Sequence, residues 1–367
     1  MTEDRDAVAL AERVLAILDE GRFSTTYKFA LFTALLDLCI EKTSTKGVAP
    51  SLLTTYELAR KVVESYWDHS LPYGQHGVLR QGGNKGGQAE ILRHICKARE
   101  LRGGARGNTL FRAQQKDPAG FETLIRLVEW KLIEMPIPRL QVLGQVEDRF
   151  LYEYNWNHSV SRSMVAAYQR GAASDFDNRL LLRPAVAENL VRLAGLLRPL
   201  FRRHWAMMVA GANDLHEAEL ERFLFGAERI PLDAVRAPLL ELQNARCFYC
   251  DHRIVGAADV DHFIPWARFR DDGLDNLVVA HPRCNNDKRD ALAAVAHLER
   301  WTLRMRAQSE DLEQASIQAR WFRDPSRSAS VASALYLRLP EGAPLWLQAK
   351  EFVPIERARV VSALDGL

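Results

Sequence analysis

The sequence predicts a mainly α protein of the α+β class, with a long helical N-terminal region, one small compact unit near residue 250 and a C-terminal segment of helix and hairpin. Three observations carry this prediction. Apolar residues recur at helical spacing through most of residues 1–240. Strand-like runs are few and short. Three of the five cysteines and four of the ten histidines fall between 247 and 297. At roughly 100–200 residues per domain, a chain of 367 residues fits two or three domains. The expected divisions are a helical domain 1–135 with a basic segment 76–116, a hairpin and helical region 136–240, the compact unit 241–300, and a C-terminal helix and strand pair 301–367.

Taken in order, Val8, Leu10, Val14, Leu15 and Leu18 mark one face of a first helix that Gly21 closes. Thr25–Ile40 follows, nearly all apolar and therefore expected to be buried, with Thr25 and Thr26 as cap candidates. Thr54–Trp67 is a third helix, stopped by the turn-forming Pro72-Tyr73-Gly74. Gly82-Gly83-Asn84-Lys85-Gly86-Gly87 lacks the Gly-Lys-Ser/Thr ending of a phosphate-binding loop and reads as a surface loop before a helix opening near Gln88. Residues 117–134 are amphipathic and end at Pro136 and Pro138. Arg139–Leu143 and Phe150–Tyr154 read as a hairpin around Gly144, and Pro184–Phe225 as helix with a kink or boundary at Pro199. After residue 301 helix gives way to an expected strand pair, Leu335–Leu339 with Leu345–Lys350.

Charge and cysteine content exclude several classes. With 49 basic and 47 acidic side chains, the chain is neither a wholly basic nucleic-acid packaging protein nor an acidic disordered one. No stretch of about 18 apolar residues occurs without a charge, so no membrane span is expected. The N-terminus, rich in acids, reads as a helix start and not a signal peptide. Five cysteines do not make a disulfide scaffold, so a reduced, cytoplasmic protein is expected. The near-neutral total conceals blocks, however. Residues 76–116 hold nine basic residues and two acidic ones, and residues 179–203 hold six arginines and one glutamate. Such unevenness is compatible with an anionic partner.

The compact unit reads Cys247-Phe-Tyr-Cys250, Asp261-His262-Phe-Ile-Pro265, Asp275-Asn276-Leu277 and His281-Pro-Arg-Cys284-Asn285-Asn-Asp-Lys288. Cys-x-x-Cys and His-x-x-Cys each present two ligands from one tight turn. Together they close a tetrahedral zinc site of Cys247, Cys250, His281 and Cys284. A shell with no open position is structural, and a segment this short needs such a staple. Between the knuckles, Asp261 is a hard oxygen donor beside His262, a residue that titrates near neutrality. A metal-bound carboxylate and a histidine base are a minimal kit for phosphodiester hydrolysis.

In this order and spacing, residues 247–289 resemble the HNH endonuclease family, whose ββα-metal motif reads Cys-x-x-Cys, Asp-His-x-x-Pro, Asn-Leu, Cys-x-x-Cys-Asn/His-x-x-Lys. The resemblance implies that His262 deprotonates water, that Asp261 and Asn285 hold a catalytic Mg²⁺ or Mn²⁺, that Asn276 ties the loop aiming the histidine, and that Lys288, with Arg289 beside it, meets phosphate. His281 stands where many members have cysteine, and Asn285 where others have histidine. One geometric question follows. Neighbours on a regular strand face opposite sides, so Asp261 and His262 share a phosphate only if the strand ends or distorts there.

Residues 241–300 carry eight basic and ten acidic side chains, so a nuclease module here must borrow its grip on DNA from elsewhere. Arg93, Lys97, Arg99, Arg102 and Arg106 are the expected nucleic-acid contacts, together with the arginines of 179–203. The expected substrate is DNA, with RNA not excluded, and the rival class is a zinc-stabilised binding module without catalysis. The long N-terminal extension suggests a protein partner and a role in bacterial defence or restriction. His252 is expected to be solvated and Trp266 to lie in the core.

Overall fold

The computed structural model describes residues 2–21, 23–82, 87–101, 109–172, 174–226 and 232–367. Most of the expected loop at 82–87, and Arg102 and Arg106 with it, lie outside the described residues. By internal contacts the chain forms two compact units, Met1–Cys39 with Pro50–Glu228, and Ile40–Ala49 with Arg229–Leu367. Among the described residues no helix is long and apolar enough to cross a membrane.

The first unit is helical with small sheets. It contains α1 (Thr2–Glu20), α2 (Tyr27–Glu41), β1 (Leu52–Thr54), α3 (Thr55–Trp67), α4 (Glu90–Leu101), α5 (Leu110–Lys116), α6 (Pro118–Glu134) and α7 (Pro136–Leu140). β2 (Val142–Leu143), β3 (Val146–Glu147), β4 (Tyr152–Glu153), α8 (Arg162–Gln169), β5 (Arg179–Leu182), α9 (Val186–Arg192), α10 (Ala194–Asn213) and α11 (Glu217–Phe225) complete it. α2 has no exposed residue, as its apolar sequence requires. α3 begins with a reciprocal cap: the Glu57 amide donates to Thr54 Oγ1 at 3.2 Å, and the Thr54 amide to Glu57 Oε2 at 2.8 Å.

Several local expectations change. Thr26 does not cap α2 through its side chain; its hydroxyl lies 2.6 Å from Tyr66 Oη and 2.9 Å from Gln81 Oε1, which also accepts from Trp205 Nε1 at 2.7 Å. That buried network fixes polar groups among rings, and leaving any one unpaired would cost free energy. Thr25 pairs instead with Gly82 as an isolated bridge. The hairpin expected from Arg139–Leu143 and Phe150–Tyr154 does not form. α6 ends just before Pro136, as expected, and Pro136, with no amide hydrogen to lose, starts α7. β2 turns tightly onto β3, and β4 pairs with β5, which pairs in turn with β1. Pro199 lies inside α10 and is not a boundary.

The second unit contains α12 (Asp233–Leu242), β6 (Asp259–His262), β7 (Leu277–Ala280), α13 (Pro282–Lys288), α14 (Val295–Ala307), α15 (Ser309–Ala319), α16 (Pro325–Tyr336), β8 (Pro344–Gln348), β9 (Glu351–Pro354) and α17 (Arg357–Leu364). β6 and β7 are antiparallel, with Asp259 opposite Ala280 and His262 opposite Leu277, and α13 follows at once: a ββα unit. All four β7 residues are buried, because the hairpin is covered on both faces. Trp301 stacks on Phe263 at 4.9 Å and donates to the Asp275 carbonyl at 2.8 Å, which fixes α14 against the loop between the strands. α14 runs through residues 300 and 301. The expected strand 335–339 is a correction: Leu335 and Tyr336 end α16, whose Tyr336 hydroxyl donates to the Ala293 carbonyl at 2.9 Å. β8 pairs with β9 instead, across a two-residue turn in which Ala349 adopts φ +45°.

Candidate active site and metal centre

The first knuckle is a tight turn. Cys247 donates its amide to the His252 carbonyl at 3.0 Å, and Asp251 donates back to the Cys247 carbonyl at 3.0 Å with φ +58°, a left-handed conformation aspartate tolerates. The second knuckle is the start of α13, where His281 is the N-cap residue and Cys284 lies in the first turn. The sequence brings both turns together because Phe248 donates to the Val279 carbonyl at 2.9 Å, docking the first knuckle on β7. One ligand atom from each of Cys247, Cys250, His281 and Cys284 lies within 4.8 Å of the others. A tetrahedral zinc shell with bonds of ~2.3 Å places sulfur atoms about 3.8 Å apart, so the cluster fits the ion.

The imidazole is oriented as a ligand. His281 Nδ1 faces Cys250 Sγ at 3.3 Å, while Nε2 lies 3.3 Å from the Arg253 carbonyl. An Nε2–H donated to that carbonyl leaves the Nδ1 lone pair for metal. Burial pushes the Cys250 thiol up, but hydrogen bonds from the His252 amide and side chain, Cys247 and His281 outweigh it and bring it down to about 6. Cys284 moves the other way, pushed up to about 12 by burial and by the charges of Cys247 and Cys250. Three thiols this close cannot all ionise without a compensating cation, which is the chemistry a zinc site supplies. The structure therefore joins all four expected ligands.

The other end of the hairpin is arranged differently. Asp259 and Asp261 face α13, with Asn285 Nδ2 donating to Asp259 Oδ2 at 3.0 Å and Lys288 Nζ 3.0 Å from Asp261 Oδ2. The Tyr249 hydroxyl donates to the same Asp261 oxygen at 2.5 Å. Burial, and then the Asp261 charge, push the Tyr249 hydroxyl well above its ordinary range. Burial lowers the Lys288 ammonium, with Asp261 opposing. His262 belongs to the opposite side of the strand, as alternation requires. Its Nε2 lies 2.8 Å from Asp272 Oδ1, and Trp266 packs on the ring with centroids 5.2 Å apart. β6 pairs through His262 and ends there, so the pair sits at the end of the strand, where each side chain has a partner of its own.

Asn276 is wholly buried and closes the loop between the strands. Its Oδ1 accepts from the Ile264 amide at 2.7 Å, and its Nδ2 donates to the Ile264 and Asp271 carbonyls at 3.2 and 2.9 Å. With the Phe263 amide donating to the Asn276 carbonyl at 2.7 Å, these bonds clamp the two residues after His262 to the turn opposite.

Two nucleic-acid expectations need correction. Lys288 is not a surface phosphate contact: its side chain is 0% exposed, and besides Asp261 it donates to the His262 carbonyl at 2.8 Å. Arg99 is also buried, donating to Ser70 Oγ at 2.7 Å and the Trp67 carbonyl at 2.5 Å, with its guanidinium over the Trp67 ring. Its side chain is only 5% exposed, so the charge is held inside the unit. Arg93 and Lys97 are exposed, four residues apart on α4, and Arg289 is exposed after α13. The arginines of 179–203 are largely neutralised: Arg179 by Asp177, Arg183 by Glu153, Arg198 by Asp37 and Arg203 by Glu217. His252 is exposed, as expected, whereas Trp266 is half-buried against His262 and not in the core.

Asp259 and Asp272 do not stand out in the sequence. The period of two along β6 is the signal that finds Asp259, which shares a face with Asp261. Nothing local marks Asp272, because its partner is ten residues away.

A ββα hairpin stapled by three cysteines and a histidine is the architecture of a zinc-stabilised ββα-metal module. Residues 247–294 match the family model described as HNH endonuclease. No curated protein and no solved structure matches the chain.

Proposed function

We propose that this protein is a metal-dependent endonuclease that hydrolyses phosphodiester bonds of DNA in the cytoplasm. The observation that supports it above all is the HNH endonuclease match over 247–294, coinciding with a ββα unit that carries Asp261, His262, Asn276 and Asn285. His262 takes a proton from water, which attacks phosphorus in line with the departing 3′ oxygen. Asn276 holds the chain after His262 so that the ring keeps its aim. Asp261 and Asn285 offer the hard oxygen donors that suit Mg²⁺ or Mn²⁺, with the Asp259 carboxylate beside Asn285. When bound, that ion supplies positive charge to the phosphate and to the leaving oxygen. The Cys247, Cys250, His281 and Cys284 cluster holds zinc and takes no part in the chemistry. Exposed Arg93 and Lys97 supply positive charge that the 241–300 segment lacks, and exposed Arg289 adds a contact within it. A role in bacterial defence or restriction, in company with a partner protein, fits the long extension that precedes the module.

A second reading, a zinc-stabilised nucleic-acid-binding module without catalysis, is favoured by one observation: Lys288 and Tyr249 already engage Asp261. One assay separates the two. Plasmid DNA incubated with the intact protein and Mg²⁺ or Mn²⁺ is nicked or linearised, and His262→Ala abolishes cutting while keeping its zinc. Cutting that persists in His262→Ala overturns the proposed mechanism. No cutting by the wild type with any divalent ion supports the binding module.

A further inference from the structure

We propose that Asp272 is a positioning residue for His262, selecting which imidazole nitrogen takes the proton, and that residues 321–328 hold it in place. The proposal rests on reading His262 as the general base. Three sets of contacts lead to it.

The pair itself is close and sheltered. His262 Nε2 and Asp272 Oδ1 are 2.8 Å apart, with the side chains 6% and 22% exposed. A neutral imidazole carries one N–H, and a carboxylate only accepts, so this contact places the hydrogen on Nε2. Nδ1 then carries the lone pair. Nδ1 is then the nitrogen left to take a proton from water, while Asp272 holds the ring by Nε2. The same division of labour orients the histidine of a serine-protease triad.

The neighbour of Asp272 has a different task. Asp271 is 1% exposed, and its carboxylate accepts from the Ser328 hydroxyl at 2.6 Å and from the Gly273 amide at 3.0 Å. Its carbonyl accepts from Asn276 Nδ2 at 2.9 Å. Two adjacent aspartates thus divide: Asp271 anchors the loop and Asp272 faces the histidine. Gly273 permits the turn, since a Cβ there would lie 3.0 Å from Asp271 Oδ1.

The third set comes from the C-terminal segment. Trp321 Nε1 donates to the Asp272 carbonyl at 2.6 Å, and the Leu274 amide donates to the Phe322 carbonyl at 2.9 Å. With Ser328 on Asp271, residues 271, 272 and 274 are each tied to the stretch between α15 and the first turn of α16. A surface ion pair needs no such support, because exposed pairs contribute little and tolerate loose geometry. A base that must present one nitrogen to a water does need it, since small misplacements of catalytic groups cost rate steeply.

The test uses the intact zinc-loaded protein and two readouts. The first is the ¹⁵N signature of the His262 ring. The wild type shows the Nε2–H tautomer, and Asp272→Ala shows a mixture of both. An Nδ1–H tautomer in the wild type overturns the proposal. The second is cleavage of a defined duplex. Asp272→Ala lowers kcat about 10²-fold or more with KM changed about twofold or less, the range expected for a mis-set general base. Asp272→Asn, whose amide oxygen still accepts from Nε2–H, recovers part of that loss. Trp321→Phe, which keeps the ring and removes its N–H, lowers kcat several-fold. Unchanged kcat in Asp272→Ala removes the positioning role, and unchanged kcat in Trp321→Phe removes the brace. Zinc content and melting temperature report folding, and should Asp272→Ala not fold, Asp272→Asn and the wild-type tautomer decide. If the wild type cuts nothing, the nuclease reading fails, while the ring spectrum still decides the pairing.

Discussion

The two ends of the ββα unit handle polar groups in opposite ways. At the knuckle end, four ligand atoms from two turns face one another within 4.8 Å, and each belongs to one common centre. At the strand end, Asp261, His262 and Asn285 each have a partner of their own: Lys288 with Tyr249, Asp272, and Asp259. The first arrangement is closed and makes sense only around a cation. The second holds its side chains by ordinary ion pairs and hydrogen bonds within protein. Structural metal sites need the ion to fold, whereas a reacting site needs its groups positioned before substrate arrives.

The largest effect tests the closed end. Removing zinc with a strong chelator, or substituting Cys247→Ser, should unfold the 247–294 module cooperatively, since binding at a structural zinc site is worth roughly 10–16 kcal/mol in small domains. Circular dichroism and zinc content should fall together and recover on adding zinc. A module that stays folded without metal would show that packing alone, through Phe248, Phe263 and Trp301, is sufficient. His262→Ala should come next, abolishing detectable cleavage, a loss of at least about 10²–10⁴-fold, with zinc retained. A loss of zinc in that variant would mean that the two ends are coupled.

How much of this is legible in the sequence depends on the range of the interaction. The zinc ligands can be read directly, because Cys-x-x-Cys and His-x-x-Cys are local patterns with a fixed geometric meaning, whereas the role of Asn276 is read only through the family resemblance. The ββα order follows from the family resemblance. Lys288 and Arg99 depart from expectation because a basic residue in a polar stretch carries no local sign of burial; in both cases the burying partners come from other elements. The hairpin expected at 139–154 fails for a related reason. Tyr152 and Glu153 pair with Leu182 and Leu181, some thirty positions on, and the tight β2–β3 turn leaves them free to do so. Asp272 is invisible at the sequence level because its meaning depends on Trp321 and Ser328.

Lys288→Met sharpens the contrast at the strand end. It deletes an ammonium that is fully buried between Asp261 and the His262 carbonyl and leaves the carboxylate with Tyr249 alone. Removing one partner of a buried pair costs about 3–5 kcal/mol. Chemical denaturation should show that loss in the second unit. If instead stability is kept and divalent-ion affinity rises, Lys288 is a stand-in cation at Asp261 and the site opens when metal replaces it.

The smallest expected effect concerns the grip on DNA, and it separates exposed from buried arginine within one helix. Arg93 and Lys97 are exposed on α4, while Arg99 is 4% exposed and bonded to Ser70 and Trp67. Arg93→Glu with Lys97→Glu should weaken binding to a non-specific duplex a few-fold to tenfold near physiological salt. It should also reduce the slope of log K against log salt by about 0.9 for each phosphate no longer neutralised. Melting temperature should stay within a degree or two, because surface substitutions of this kind rarely exceed about 0.5 kcal/mol. Arg99→Ala should do the reverse, lowering stability by removing its hydrogen bonds and its packing on Trp67 while the salt slope stays unchanged. Binding measured by fluorescence anisotropy across a salt series checks both variants. An unchanged slope in the double reversal would remove α4 from the DNA-binding surface and turn the test to Arg289, exposed after α13.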